Sequence, residues 1–337
     1  MRNIYDLTIK ELEDYFISIN EKKFRAVQVY EALYKRRIKS FDDMTNISKE
    51  VREKLKQDFS FYKIKMLIKQ QGKNVNKYLF ELEDGNKIES VLMFHDYGTS
   101  ICVSSQVGCN MTCAFCESGR LKKVRNLLAY EIVQQILQIE EDINKRITHV
   151  VLMGIGEPFD NYDNVLRFVK IINCGKGIDI GSRHITISTC GVIPGIKKFM
   201  NEEGQVNLAI SLHAPNNTIR SRIMPINKAY PLNELMETIK EYINKTNRRV
   251  TFEYIMLDNV NDSEENAKEL ALLLKGINCY VNLIPYNETE NIEFKRTKEW
   301  KIMKFYDILK KNKINVTIRK EFGGSVDAAC GQLRANN

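Results

Sequence analysis

Hydrophobic and polar positions change period twice along this chain. Over residues 8–58 the spacing is helical. Phe24, Val27, Val29, Tyr30 and Leu33 make an apolar face, Lys22, Lys23, Arg25, Lys35, Arg36, Arg37 and Lys39 crowd the rest, and a further helix is predicted from Lys49 to Gln57. From Tyr62 the period falls to two. Residues 63–68 and 77–82 alternate, and Asp84-Gly85 reads as a hairpin turn into a third alternating run, 87–93. Beyond residue 100, strand-like and helix-like runs take turns. Strands are predicted at 100–105, 148–153, 184–189, 206–212, 250–257 and 279–285, with helices at 128–145, 161–173, 193–203, 232–245 and 262–275. A helix at 298–312 and a strand at 314–319 close the series. Regular βα units predict an α/β fold with a parallel sheet or barrel, and six of them suit a partial (β/α)6 barrel. The expected organisation is a helical module over 1–60, a short antiparallel β extension over 61–97 and the barrel over 98–337.

Composition narrows the class. With 337 residues, 43% of them hydrophobic, the chain can bury a large core. No run of about eighteen apolar residues occurs, so no membrane span is expected. Met1-Arg2-Asn3-Ile4-Tyr5-Asp6 lacks an apolar signal region, and a cytoplasmic protein is expected. Eight cysteines are few for this length and three are clustered, which fits a metal site in a reducing compartment better than a disulfide framework. The net charge is +8, and residues 1–70 hold 16 Lys/Arg against 11 Asp/Glu. That excess makes a polyanion such as RNA a candidate partner. An ordinary amphipathic cover on the main domain is the alternative reading of the basic helices.

The candidate chemistry centres on Cys109-Asn110-Met111-Thr112-Cys113-Ala114-Phe115-Cys116. Three thiolates on a short loop after a strand can converge on a soft metal centre, and three ligands leave a position open for a substrate or cofactor. A structural zinc knuckle would need a distant fourth ligand. In barrels of this type chemistry sits at the C-terminal strand ends. The second strand ends Met153-Gly154-Ile155-Gly156-Glu157-Pro158, where glycines allow close backbone approach to a ligand. Ser188 ends the third strand. Period-two alternation places Ser211 and His213 on one side of the fourth, and Asn287 follows the sixth. Cys102 precedes the thiol loop, Cys330 lies among small residues near the C-terminus, and Cys174, Cys190 and Cys279 read as core.

The three-thiol loop, with Phe115 before its last cysteine, resembles the signature of the radical S-adenosylmethionine (SAM) superfamily, whose architecture is a partial (β/α)6 barrel. Phe24-Arg25-Ala26-Val27-Gln28, Cys102 through Cys109, Gly154-Ile155-Gly156-Glu157-Pro158, Ser211-Leu212-His213-Ala214-Pro215, Phe252-Glu253-Tyr254 and Asp327-Ala328-Ala329-Cys330-Gly331-Gln332-Leu333 extend the similarity over almost the whole chain. Together they resemble the radical-SAM RNA adenine methyltransferases, the RlmN and Cfr family, and more closely its C2-methylating branch. Departures are Glu117-Ser118-Gly119 after the third cysteine and the segment 288–297, which lacks a Pro- and Gly-rich run.

The resemblance implies a 4Fe-4S cluster on Cys109, Cys113 and Cys116, with SAM chelating the open iron through its amino and carboxylate groups. It implies SAM contacts at Gly156, Glu157, Ser188, Ser211, His213 and Asn287. It further implies that Cys330 is methylated by one SAM and that a radical from a second SAM activates the S-methyl group. The carbon then adds to adenine, and Cys102 releases the product by forming a disulfide with Cys330. Glu89 corresponds to the family's proton acceptor; on its own it reads as a solvated strand carboxylate. Implied partners are 23S rRNA, tRNA and an electron donor such as flavodoxin or ferredoxin, with the protein a monomer. C8 methylation of the same rRNA adenine, a radical-SAM reaction on a non-RNA substrate and a non-catalytic RNA-binding Fe–S protein are the alternatives.

Overall fold

The chain opens with a two-residue strand, β1 (Arg2–Asn3), that pairs in parallel with β2 (Phe59–Ser60) and closes a helical module. The structure, a computed structural model, describes residues 1–289, 291–319 and 331–333; Cys330 lies outside the described residues. Within the module, α1 (Ile9–Ser18) starts at a capping box in which Thr8 and Glu11 satisfy each other's backbone N–H. It is followed by α2 (Phe24–Tyr34) and α3 (Lys49–Asp58). Val29, Tyr30 and Leu33 of the predicted apolar face are buried, whereas Phe24 is 49% exposed beneath the Arg25 guanidinium. The module shares one apolar core with the rest of the chain. Charged contacts reinforce the join: Arg167 donates to Glu11 at 2.5 and 2.6 Å, Arg37 pairs with Glu140, and Lys39 pairs with Glu141.

The antiparallel strands β3 (Lys65–Gly72), β4 (Val75–Glu81) and β5 (Lys87–His95) are continuous with the barrel sheet, because β5 pairs with β6 (Gly98–Cys102). A short ribbon, β7 (Gln106–Val107) with β8 (Arg125–Asn126), follows, and then α4 (Ala129–Ile143). The βα units continue as β9 (His149–Leu152), α5 (Tyr162–Asn173), β10 (Ile185–Thr189), α6 (Ile193–Phe199) and β11 (Asn207–Ser211). After α7 (Asn217–Ile223) and α8 (Leu232–Thr246) come β12 (Val250–Met256), α9 (Glu264–Leu273), β13 (Cys279–Pro285), α10 (Glu299–Lys311) and β14 (Val316–Ile318). The sheet order is β14-β13-β12-β11-β10-β9-β6-β5-β4-β3, parallel from β6 through β14. The six expected barrel strands are therefore joined by β14 as a seventh. Two helical details differ from the periodicity. The helix expected over 193–203 ends at Phe199, ahead of Gly204 at φ 121°, and the seven-residue α7 was too short to register as a pattern.

Candidate active site

The thiol loop hangs from the β7–β8 ribbon. At its base Gly108 has φ 72°, and a side chain there would put a Cβ 2.3 Å from the Lys122 carbonyl oxygen, so only glycine fits. The Cys109 N–H donates to Leu121 O at 2.9 Å, Cys116 to Cys113 O at 3.1 Å, and Ala114 to Ile223 O at the end of α7 at 2.9 Å. These bonds turn Cys109, Cys113 and Cys116 into one cleft at the C-terminal strand ends, open to solvent and holding about 840 Å³ of empty space. Burial pushes the Cys109 thiol up to about 12 and the Cys113 thiol well above its usual value. Metal binding would therefore release protons here. Three thiols of one loop lining the same cleft can give one thiolate to each of three iron corners of a cubane. The residues present thus fit the expected cluster.

Opposite the loop stand the strand ends, where most of the expected SAM contacts meet. Gly156, Glu157, Ser188, Ser211 and His213 all line the cleft. Asn287, half-buried beyond β13, is not among its lining residues. The glycine argument changes in detail. Gly156, at φ 108°, admits Gln106 rather than only a ligand: a Cβ would sit 2.6 Å from the Gln106 Cβ. The Glu157 carboxylate is consumed locally, accepting from Phe159 N–H at 3.0 Å and Cys190 N–H at 2.8 Å, so it ties the end of β9 to the end of β10. The alternation argument for His213 does not hold either. β11 stops at Ser211, and His213 sits beyond it at φ 58°. Its Nδ1 accepts from Ile255 N–H at 3.0 Å, which leaves Nε2 to carry the ring proton. Burial, followed by the charge of Arg220, lowers its pKa to about 3. Its ring stands edge-on to Phe115 of the thiol loop, centroids 4.8 Å apart.

A separate apolar cluster joins Cys102 to Val75, Val91, Met93, Ile155 and Leu333. Cys102 faces Val91 across the β5–β6 ladder, and Glu89 lies two residues before Val91 on β5. Glu89 is not a solvated carboxylate: it is 3% exposed and pairs with Lys77 at 3.2 Å. The C-terminal segment returns to the same place. Gly331 O accepts from Glu117 N–H at 2.8 Å, Leu333 O accepts from Ser118 Oγ at 2.6 Å, and Gly331 lines the cleft. No disulfide joins two of the described cysteines.

Sequence reasoning passed over three features. Cys190 is buried in an apolar cluster as expected, but it also lines the cleft as a fourth thiol, and its hydrogen bonding is directed at Glu157. Arg220 is fully buried on α7, its guanidinium donating to Cys190 O at 2.7 Å, Asn227 Oδ1 at 2.9 Å and Leu212 O at 3.2 Å. Glu253 on β12 also lines the cleft. Glu253 was detectable as the lone charge in an otherwise apolar strand; Arg220 left no signal because α7 itself was invisible.

Comparison with known proteins agrees with this geometry. Residues 2–60 match the profile of the ribosomal RNA large subunit methyltransferase N-terminal domain, and residues 103–271 match the radical SAM superfamily. A protein of Spiroplasma citri named probable dual-specificity RNA methyltransferase RlmN is 54% identical, over 100% of this chain and 98% of its own length. One of the same name from Enterococcus faecalis is 54% identical over 99% of this chain and 96% of its own. The crystal structure of a radical SAM methyltransferase from Sphaerobacter thermophilus superposes with a TM-score of 0.94 at 40% identity, covering 100% of both chains. A three-thiol loop facing the strand ends of a radical-SAM barrel, with relatives this similar along its full length, leaves one assignment: the chain belongs to the RlmN family of radical-SAM RNA methyltransferases.

Proposed function

We propose that this protein methylates C2 of one adenine of 23S rRNA in the peptidyl transferase centre and an adenine of the tRNA anticodon loop, with Cys330 as methyl carrier and Cys102 as resolving thiol. The carrying observation is the return of Gly331 to the thiol loop and of Leu333 to the apolar cluster that holds Cys102. Gly331 follows Cys330 in sequence, and the described residues Gly331 and Leu333 reach the thiol loop and the cluster around Cys102, which supports a carrier working between the two. The name shared by the relatives, dual-specificity RNA methyltransferase, supports two RNA substrates.

In this reading Cys109, Cys113 and Cys116 hold the 4Fe-4S cluster, and Gly156, Glu157, Ser188, Ser211, His213 and Asn287 bound the SAM site. With SAM bound, the cluster would supply the one-electron chemistry that activates a methyl group for transfer to an aromatic carbon. The Cys330 thiolate would first take that methyl group from SAM by displacement at carbon, with S-adenosylhomocysteine leaving. Glu89, held by Lys77, accepts the proton that leaves the adenine ring. Cys102 then attacks the Cys330 sulfur, the carbon–sulfur bond breaks, and the resulting disulfide is reset by reductant. The apolar packing around Cys102 keeps water from competing with that attack. Residues 1–60 serve as the RNA-binding module. Lys22, Lys23 and Arg36 remain exposed there for phosphate, while Arg37 is turned inward to Glu140. The target base must leave its stack to reach the barrel. A flavodoxin- or ferredoxin-type protein delivers the electrons, and the enzyme works as a monomer in the cytoplasm.

Nucleoside mass spectrometry of rRNA and tRNA from cells with and without the gene tests this reading. Loss of 2-methyladenosine from both RNAs is expected. Loss of 8-methyladenosine instead would assign the C8 reaction.

A further inference from the structure

One buried carboxylate in the cleft has no role in the chemistry above. Glu253 is 4% exposed, and its strand register sets it between Ser211 on β11 and Asn282 on β13. The Asn282 amide donates to Oε1 at 2.9 Å. The other oxygen, Oε2, is buried with no hydrogen-bond partner among the described residues, yet the side chain lines the cleft. Leaving such an acceptor unmet forfeits its solvation with nothing in return. A cost of that kind persists where a ligand removes it.

The surroundings define what would meet Oε2. The cleft that Glu253 lines mixes apolar side chains (Leu152, Met153, Ile255 and Ile284) with the polar Ser211 and Arg319. Such a lining suits a planar ring that carries a few polar edges. Oε2 accepts, so the ring must offer an N–H. Burial pushes the Glu253 carboxyl up, with the charge of Arg319 and the Asn282 bond opposing it, so a further donor at Oε2 would help to hold it ionised. Both ligands of the proposed reaction carry an adenine, whose exocyclic amine is such a donor. In that reading the amino and carboxylate groups of SAM would be taken up by the cluster, leaving its adenine to be met by the protein.

We propose that Glu253 is an adenine-reading residue, its Oε2 accepting a hydrogen bond from the exocyclic amine of a bound adenine. The adenine belongs either to SAM or to the target nucleotide. The inference rests on the proposed methyltransferase reading. It adds a specificity determinant to it, because hypoxanthine, with a carbonyl in place of the amine, would face the carboxylate acceptor to acceptor.

The test measures binding to the full-length, cluster-loaded protein under anaerobic conditions. One arm compares S-adenosylhomocysteine with S-inosylhomocysteine. The other compares anticodon-hairpin RNAs bearing adenine or hypoxanthine at the target position. Wild-type protein should favour the adenine form roughly tenfold or more in one arm, and that arm names the source of the ring. Glu253→Gln should abolish or reverse the preference. Asn282 donates to Oε1, so the glutamine oxygen must stay on that side and its Nε2 then faces the cleft as a donor, matched to the hypoxanthine carbonyl. The melting temperature of Glu253→Gln should be unchanged or higher, since a buried unmet charge has been removed. A wild type that does not distinguish the two rings in either arm overturns the proposal. So does an equal loss of both forms in the variant. A wild type that binds neither S-adenosylhomocysteine nor RNA overturns the methyltransferase reading itself.

Discussion

The two walls of the cleft hold their residues by different means. On the strand-end side, side chains bond backbone in an unbroken set. Glu157 ties β9 to β10, Arg220 gathers the carbonyls of Cys190 and Leu212, and Asn261 donates to His213 O at 2.8 Å and Ile255 O at 2.7 Å. The thiol loop is held mainly by its backbone N–H groups, which reach carbonyls at Leu121, Ile223 and Gly331, with side-chain bonds toward its ends from Ser118 to Leu333 O and from Lys123 N–H to Asn110. The strand-end wall is thus bonded within itself apart from Glu253 Oε2, while under the proposed reading the loop would gain its further constraint from a cluster on three thiolates.

The largest effect that would test this contrast comes from the loop. Cys→Ala at Cys109, Cys113 or Cys116 should take iron from about four per chain to near zero and abolish RNA methylation. Stability of the apoprotein to urea should change by no more than about 1 kcal/mol, because the strand-end wall does not lean on the thiols. A large destabilisation would erase the distinction between the walls.

Cys102→Ala should leave RNA covalently attached to the protein, detected as nuclease-sensitive, crosslinked material after purification, whereas Cys330→Ala should yield unmodified RNA and no adduct. Normal turnover by Cys102→Ala would remove the resolving role.

On the other wall, Arg220→Met should cost about 3 kcal/mol in urea unfolding, since it strips the donor from several buried acceptors at once. An effect below about 1 kcal/mol would mean that the wall is less integrated than its bonding suggests.

The smallest effect concerns the clamp between the helical module and the barrel. Burial pushes the Glu11 carboxyl up, but hydrogen bonds from Arg167, the Thr8 backbone and Arg2 outweigh it and bring the pKa to about 2. An unfolded glutamate titrates near 4.3, so this stabilisation is complete above that value and disappears as pH falls toward about 2. Hydrogen exchange in α1 should quicken over that window in the wild type and much less in Glu11→Gln.

How far the sequence reached depended on the range of the forces involved. The period-two and period-3.6 runs placed the barrel strands and most helices within a few residues, because each run buries its own face. Cys109, Cys113 and Cys116 were legible because all three lie on one loop. Glu89 was misjudged alone: its burial comes from the β4–β5 pairing and Lys77, which no local pattern encodes. His213 was assigned to the right cleft by the wrong geometry, since alternation cannot foresee a left-handed residue just past a strand end. Arg220 and Cys190 acquire their roles only when α7 folds back over β10 and β11. Nothing near either residue in sequence announces that contact.

The bond from Ser118 to Leu333 spans 215 positions. Closing so long a loop is slow compared with forming neighbouring βα units. Residues 331–333 are synthesised after every strand of the barrel, so their bonds to Glu117 and Ser118 can form only on a loop whose scaffold has already been translated. Under the proposed reading, a cluster inserted before those bonds form would meet a loop with fewer constraints. A nascent chain that stalls before residue 331 would possess the barrel and its three cysteines but could not complete the site.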